Sequence, residues 1–299
     1  GGDWTTTKLD LLARYLTSYA TALKNQPSVE RPFVKAYIDA FAGTGYRDLK
    51  AADAETGGDT SLLFPDLAGE EPQQLLDGSA RLALKTQPPF DRYVFIERSP
   101  SRCAALEALK DEFPDVAGRV SVRQGDANKV IRGLCARVDW SSRRAVLFLD
   151  PYGMQVEWST IAAVGATKAI DLWLLFPLGI GVNRLLTKSG EIPVSWRHRL
   201  NLLLGTEDWY DEFYQVETST PDLFGESETR VVKKASIETI GRYFNDRLGS
   251  VFADYAKQPR VLTNSANCPL YLLCFAVGNK NGAPTALRIA NHLLTKGAP

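Results

Sequence analysis

The chain has 299 residues, enough for one large domain or two small ones. Its 44% hydrophobic and 23% charged content suits a globular protein that buries a substantial core. Thirty-five basic residues balance 35 acidic ones, which argues against coating nucleic acid or membrane by bulk charge and leaves only a local basic groove open.

The scarce residues narrow the chemistry. There are two histidines, His198 and His292, and four cysteines, Cys103, Cys135, Cys268 and Cys274, without a C-x-x-C pair. No metal site is expected from that set, and the cysteines are expected to be free thiols, as in cytosolic proteins. The longest apolar run, 172–182, is too short for a bilayer and contains Pro177. No charged-then-apolar leader is seen, so the expected location is cytoplasmic.

In chain order, Leu9, Leu12, Leu16, Tyr19 and Leu23 recur at helical steps and predict a helix over 5–24. Asp3 or Thr5 can cap it. Residues 33–41 (FVKAYIDAF) read as a strand stopping at Gly43-Thr44-Gly45. Residues 46–91 are polar and rich in Gly and Pro, with the acidic Gly69-Glu70-Glu71-Pro72, and read as an insertion. Strands are predicted at 93–97, 120–124, 145–149, 172–176 and 270–277. Helices are predicted at 99–113, 126–138, 157–166 and 284–294, the first of these opened by Ser99 and Pro100. Residues 183–250 carry helical patterns at 194–204, 208–216 and 230–248 and no convincing strand. Continuous apolar strands alternating with helices predict a doubly wound α/β fold whose parallel sheet is covered on both faces. The core is assigned to 1–182 and 251–299, and 183–250 to a helical insertion or cap.

Ligands of such a sheet sit outside the carboxyl ends of the strands, and chemically useful residues gather there. The first strand ends in Asp39-Ala40-Phe41-Ala42-Gly43-Thr44-Gly45, whose glycines let backbone pass close to a ligand or simply form a tight turn. Glu97 ends the second strand. It can accept both hydrogen bonds of a ribose diol, or face solvent. Asp126 follows the third strand and can meet an adenine amino group, with the neighbouring Ala127 backbone, or cap the next helix. The fourth strand ends in Asp150-Pro151-Tyr152-Gly153. An acid, a rigid proline and an aromatic have little reason to stand there for folding alone.

Taken in order, these strand ends resemble those of class I S-adenosylmethionine methyltransferases, so the fold expected is their Rossmann-like sheet. DAFAGTG is similar to the F-x-G-x-G motif of methyltransferases acting on adenine or guanine amines, and Asp150-Pro151-Tyr152-Gly153 resembles their D-P-P-Y. With Trp4-Thr5, Lys8-Leu9 and Tyr15-Leu16, the chain looks like the three-Cys-motif partner (TcmP) family over roughly residues 4–215. The three cysteines of that family's name belong to a neighbouring partner protein. The resemblance implies a methyltransferase using S-adenosylmethionine, with Gly43 and Gly45 beside its methionine part, Lys8 at its carboxylate, Glu97 at the ribose and Asp126 at the adenine. Asp39, Phe41, Ala42, Thr44 and Ala127 complete the implied cofactor site.

The implied acceptor is an exocyclic amine of a nucleobase or nucleoside, alone or in nucleic acid. Asp150 and the Pro151 carbonyl would accept its two N–H bonds, and Tyr152 would stack on the ring. One departure matters: Tyr152 stands where D-P-P-Y has its second proline, and Gly153 where it has the aromatic. Trp158 is an alternative source of the ring.

Other readings are weaker or open. The third glycine of a dinucleotide fingerprint is replaced by Asp48, and Glu97 comes more than fifty residues after the turn, against about twenty in that fingerprint. A P-loop is excluded because no G-K-[ST] follows a glycine turn. A non-catalytic subunit of a two-component system, or a methyltransferase acting on another small molecule, remains open. Basic residues at Arg143-Arg144, 197–199 and 230–234, with Trp196, Trp209, Tyr210, Phe213 and Tyr214 among or near them, suit nucleic-acid contact. They equally suit a solvated helix face over a core.

Overall fold

The computed structural model describes residues 3–43, 46–47, 76–218 and 229–296. Helix α1 (Asp3–Ala22) buries Leu9, Leu12, Tyr15, Leu16 and Tyr19, the stripe expected from their spacing. It starts earlier than a Thr5 cap would place it. Strand β1 (Val34–Asp39) follows, then the short antiparallel pair β2 (Tyr46–Arg47) and β3 (Leu76–Asp77). Thr44, Gly45 and most of the expected 46–91 insertion lie outside the described residues. Helix α2 (Ser79–Leu84) buries Ala80, Ala83 and Leu84 and packs on α1 and β1.

Strand and helix then alternate: β4 (Arg92–Glu97), α3 (Pro100–Glu112), α4 (Pro114–Ala117), β5 (Val120–Gln124), α5 (Ala127–Arg137), β6 (Arg143–Leu149), α6 (Trp158–Ala166) and β7 (Ile170–Phe176). A π-helical turn (Leu178–Val182) leads into α7 (Asn183–Leu185), α8 (Val194–Leu204) and α9 (Trp209–Phe213). Next come β8 (Tyr214–Thr218), β9 (Thr229–Lys233) and α10 (Ile237–Leu248). The described chain closes with β10 (Asp254–Tyr255), β11 (Arg260–Thr263), β12 (Pro269–Val277) and α11 (Ala283–Thr295). Among the described residues no helix is long and apolar enough to cross a membrane.

The main sheet runs β5-β4-β1-β6-β7-β12, with β10 and β11 both along the outer edge of β12. The first five strands are mutually parallel. Side chains alternate between two cores, as the pleat requires. Tyr37, Phe95, Val146 and Phe148 share one core with α1, α2 and α11. Ile38, Ile96, Leu147 and Leu149 share the other with α5, α6, α8 and α10. Rings consolidate each face: Tyr15 meets Trp173 and Phe275 at 5.2 and 5.0 Å, and Phe176 stacks on Phe244 at 3.9 Å. Full burial of each such side chain contributes about 1.5–3 kcal/mol.

The structure departs from the sequence reading in two places. Strand β12 runs antiparallel to β7, whereas continuous apolar runs led us to expect parallel strands throughout. Burial on both faces makes a strand apolar whichever way it points, so the pattern carries no direction. The segment 183–250 holds an antiparallel hairpin, β8–β9, where only helices were expected. Tyr-Gln-Val-Glu-Thr and Thr-Arg-Val-Val-Lys have the β-branched character of strands, and the hairpin interrupts two of the helical patterns. Of these, 208–216 is helical only to Phe213 and 230–248 only from Ile237.

Candidate functional site

Strand order reverses at β1, which has β4 on one side and β6 on the other. A doubly wound sheet opens its ligand crevice beyond the carboxyl ends at this switch point. Asp39, the last residue of β1, is fully buried. Its Oδ2 accepts the Tyr37 hydroxyl at 3.1 Å and its Oδ1 the Phe41 amide at 3.3 Å. Burial pushes its carboxyl up to about 6; hydrogen bonding from Ser79 opposes this, and the nearby charge of Asp150 adds to it. Asp39 therefore braces the turn from beneath.

Ala42 is buried and its amide donates to the Ile96 carbonyl at 3.2 Å, which ties the turn to β4. Phe41, half-buried, packs against the second core. Gly43 takes φ +61°, a conformation costly for residues with a Cβ, and a Cβ placed there would meet none of the described residues within 4 Å.

Glu97, at the end of β4, is almost fully buried. Its Oε1 accepts the amides of Arg98 and Ser99 at 2.8 and 2.9 Å, and its Oε2 the Gly43 amide at 3.1 Å. One carboxylate thus fixes its own loop and the glycine turn. Since a carboxylate offers about four acceptor positions, about one remains on Oε2. Asp126 is exposed and caps α5, its Oδ1 accepting the Lys129 amide at 3.0 Å. Capping was one of its two expected roles, and Oδ2 is not used by it. Ala127 is buried beside it.

Asp150 follows β6 directly. Its Oδ2 accepts a bond from the Lys8 ammonium of α1 at 2.5 Å; the Lys8 side chain is 7% exposed and that of Asp150 24%. The same ammonium lies 4.9 Å from the Trp4 ring centre, and Trp4 in turn packs 4.9 Å from Tyr271. Lys8, expected at a cofactor carboxylate, is thus engaged with the acid expected to be catalytic. Pro151 is buried, and its carbonyl receives no hydrogen bond from the described residues. Tyr152 is 58% exposed, the expected position of a ring that has to meet a ligand. Gly153 (φ +66°) turns the chain behind it.

Some contributors carried no sequence signal. Asn128 is buried in the first turn of α5. Its Nδ2 donates to the Gln155 carbonyl at 2.9 Å, and its Oδ1 accepts the Glu157 amide at 3.0 Å and the Thr160 hydroxyl at 2.9 Å. It staples the loop after Gly153 to α5, and an Arg132–Glu157 ion pair at 2.5 Å runs alongside. Tyr271 reaches the site from β12, whose sequence reads only as core.

One expectation is corrected and one open choice is narrowed. Trp158 cannot serve as a stacking ring: it is buried, edge-on to Phe244 at 6.1 Å, with the Arg247 guanidinium 4.5 Å away. The aromatics at 209–214 are largely core as well. Trp209, Phe213 and Tyr214 are buried, and Tyr210 stacks on Tyr214 at 4.7 Å, so these rings cover the core as the solvated-face reading held.

The fold is a doubly wound, Rossmann-like α/β sheet. No family model matches the chain, and no curated protein matches it. Several solved structures are similar at low identity. A DUF519-family protein from Legionella pneumophila is 14% identical, with a TM-score of 0.38, over 79% of this chain and 92% of that one. A spermidine synthase bound to a transition-state analogue is 9% identical, with a TM-score of 0.43, over 100% of this chain and 67% of that one. Aeropyrum pernix fibrillarin with natively bound S-adenosylmethionine is 10% identical, with a TM-score of 0.29, over 74% and 76%.

Proposed function

We propose that the protein is an S-adenosylmethionine-dependent methyltransferase acting on an exocyclic amine of a nucleobase or nucleoside. The observation carrying this reading is the strand-end cluster at the switch point. Gly43 and Glu97 are locked together on one side of it, and Asp150, Pro151 and Tyr152 stand on the other.

The residues fit the cofactor. Gly43 has a left-handed backbone, and no described residue crowds its Cβ position. Glu97 keeps an acceptor position for a ribose hydroxyl, and Asp126 keeps Oδ2 for a donor such as the adenine amine. When bound, S-adenosylmethionine supplies an electrophilic methyl group.

The chain's own residues do the rest. An exocyclic amine is a weak nucleophile because its lone pair is delocalised into the ring. The remaining lone pairs of Asp150 and the unengaged Pro151 carbonyl accept its two N–H bonds and localise that lone pair. Tyr152 stacks on the ring, worth about 1–3 kcal/mol for such platforms. Lys8 holds the Asp150 carboxylate in one orientation, so its acceptors are set before the substrate arrives.

Calorimetric titration with S-adenosylmethionine tests the cofactor half: the wild-type chain binds and Gly43→Asp does not. No binding by the wild type would sink the proposal. For the acceptor, labelled cofactor is incubated with nucleosides, DNA and RNA. Label on precipitable polymer identifies a nucleic-acid substrate, and soluble label on a nucleoside a small one.

A second reading is favoured by the Lys8–Asp150 pair, because a cation already sits on the carboxylate that transfer requires. The chain would then bind the cofactor as a non-catalytic subunit, alongside the three-Cys-motif protein that the TcmP resemblance implies. Persistent absence of transfer to any acceptor, with intact cofactor binding, supports that reading.

A further inference from the structure

A cavity lies at the opposite edge of the sheet, where the parallel strands begin. It measures about 430 Å³, within the roughly 300–1,000 Å³ of small-molecule sites. Its walls come from the second half of α1 and the segment after it, from Phe33, from the starts of β6 and β7, and from the β12–α11 turn. Tyr19, Leu23, Phe33 and Ile289 make much of it apolar.

The polar groups in this cavity are unevenly satisfied. Asp171, at its floor, is buried and has a donor on each oxygen: Oδ2 accepts the Tyr15 hydroxyl at 3.0 Å and Oδ1 the Gly278 amide at 3.2 Å. Arg144 is the reverse. Its guanidinium lies 3.9 Å from the Phe33 ring centre, and one nitrogen donates to the carbonyls of Trp140 and Arg143. Its other donors have no acceptor, and no carboxylate lies within ion-pair distance, among the described residues. Tyr19 is 7% exposed, and its hydroxyl has no hydrogen-bond partner among the described residues.

The start of α11 opens on the same space through Gly282, Thr285 and Ala286, with no side chain capping its first turn. Asn279 Oδ1 accepts only the Asn281 and Gly282 amides that precede the helix. A helix N-terminus and a guanidinium both favour an anion. Ala283 already donates to the Lys280 carbonyl and Pro284 has no amide hydrogen, so the spare donors lie chiefly on Arg144 and Tyr19, while each oxygen of the buried acid already has a donor.

We propose that this cavity binds a small planar aromatic acid. The carboxylate takes the free donors of Arg144 and the Tyr19 hydroxyl, and the ring lies among Tyr19, Leu23, Phe33 and Ile289. A carboxylate fits better than a phosphate because it brings a single charge near Asp171 and matches the guanidinium fork two-to-two. The site is independent of the methyltransferase reading.

Calorimetry on the full chain with naphthalene-2-carboxylate and its neutral analogue 2-naphthamide decides the matter. The acid binds saturably and at least about tenfold tighter than the amide, the discrimination expected of a charge-assisted hydrogen bond. Arg144→Gln removes that preference, and Tyr19→Phe weakens the acid several-fold. Gly43→Asp, at the other edge, leaves acid binding unchanged. Equal affinity for acid and amide, no binding by the wild type, or a preference that survives Arg144→Gln overturns the proposal, as does loss of acid binding in Gly43→Asp. Melting curves accompany each variant. If Arg144→Gln does not fold, the acid–amide comparison and Tyr19→Phe still decide.

Discussion

The two edges of the sheet treat their polar groups in opposite ways. At the carboxyl edge each acid is already anchored by the chain through at least one oxygen: Glu97 by Gly43, Arg98 and Ser99, Asp126 by Lys129, and Asp150 by Lys8. At the amino edge Arg144 and Tyr19 keep donors in reserve beside a cavity. Self-satisfaction fixes geometry in advance and makes an incoming ligand compete with the protein's own contacts. Reserve capacity leaves groups to be satisfied by whatever enters. A catalytic site gains from the first arrangement, since preorganised acceptors cost no reordering during reaction. A binding cavity gains from the second.

The sharpest way to break the contrast is at Asp150. Asp150→Ala should lower methyl transfer by about 100- to 1,000-fold, the usual loss for one preorganised hydrogen-bonding group, while calorimetry still records cofactor binding. Transfer at the wild-type rate would remove Asp150 from the mechanism.

At the amino edge, burial pushes the Asp171 carboxyl up to about 7, against the opposing influence of its Tyr15 and Gly278 hydrogen bonds and the Arg144 charge. The folded state then holds a proton that the unfolded chain releases near pH 4. Stability from this group is complete below that pH and is lost as pH rises toward about 7, by a few kcal/mol. Unfolding titrations at pH 4.5 and 8 should show Asp171→Asn flattening this fall relative to wild type. Parallel curves for the two proteins would mean that Asp171 does not titrate in that range. Asp39 contributes a similar, smaller fall up to about pH 6, so the fall persists in part in the variant.

Asn128→Ala removes the staple behind Gly153 and takes away the partner of the part-buried Gln155 carbonyl and Glu157 amide, at about 1–3 kcal/mol. Denaturant unfolding measures the stability loss, and transfer assays should show a matching loss of loop order as a lower kcat. A variant as stable as wild type would mean that the loop is held elsewhere. The smallest effect is expected for Gly43→Ala, about 1–2 kcal/mol from the left-handed backbone alone, since the added methyl meets none of the described residues. A larger loss would show that the turn is more tightly packed than its geometry indicates.

Much of the carboxyl edge was legible in the sequence because its residues announce themselves locally. A glycine turn, an acid and D-P-Y-G each directly follow an apolar strand, and the strand ends fall within a few residues of those expected. What was not legible depends on long-range pairing. Nothing near Lys8 says that it reaches Asp150, 142 residues away, and nothing near Tyr271 says that its strand reverses to meet Trp4. Asn128 reads as an ordinary helix residue until the loop it holds is placed beside it. The hairpin β8–β9 was missed because its strands abut helical patterns that overran them.

The Lys8–Asp150 contact also bears on how the molecule assembles. Contacts that close long stretches of chain cost entropy before they return anything, and topologies rich in them fold slowly. The strands from β4 to β7 follow one another at short range, whereas α1 must dock against a residue 142 positions further along the chain to bring Lys8 home. During refolding the helical and strand content should therefore recover first. Asp150 gains its orienting partner only when the opening helix seats, so this corner of the crevice is expected to be completed after the strands have paired.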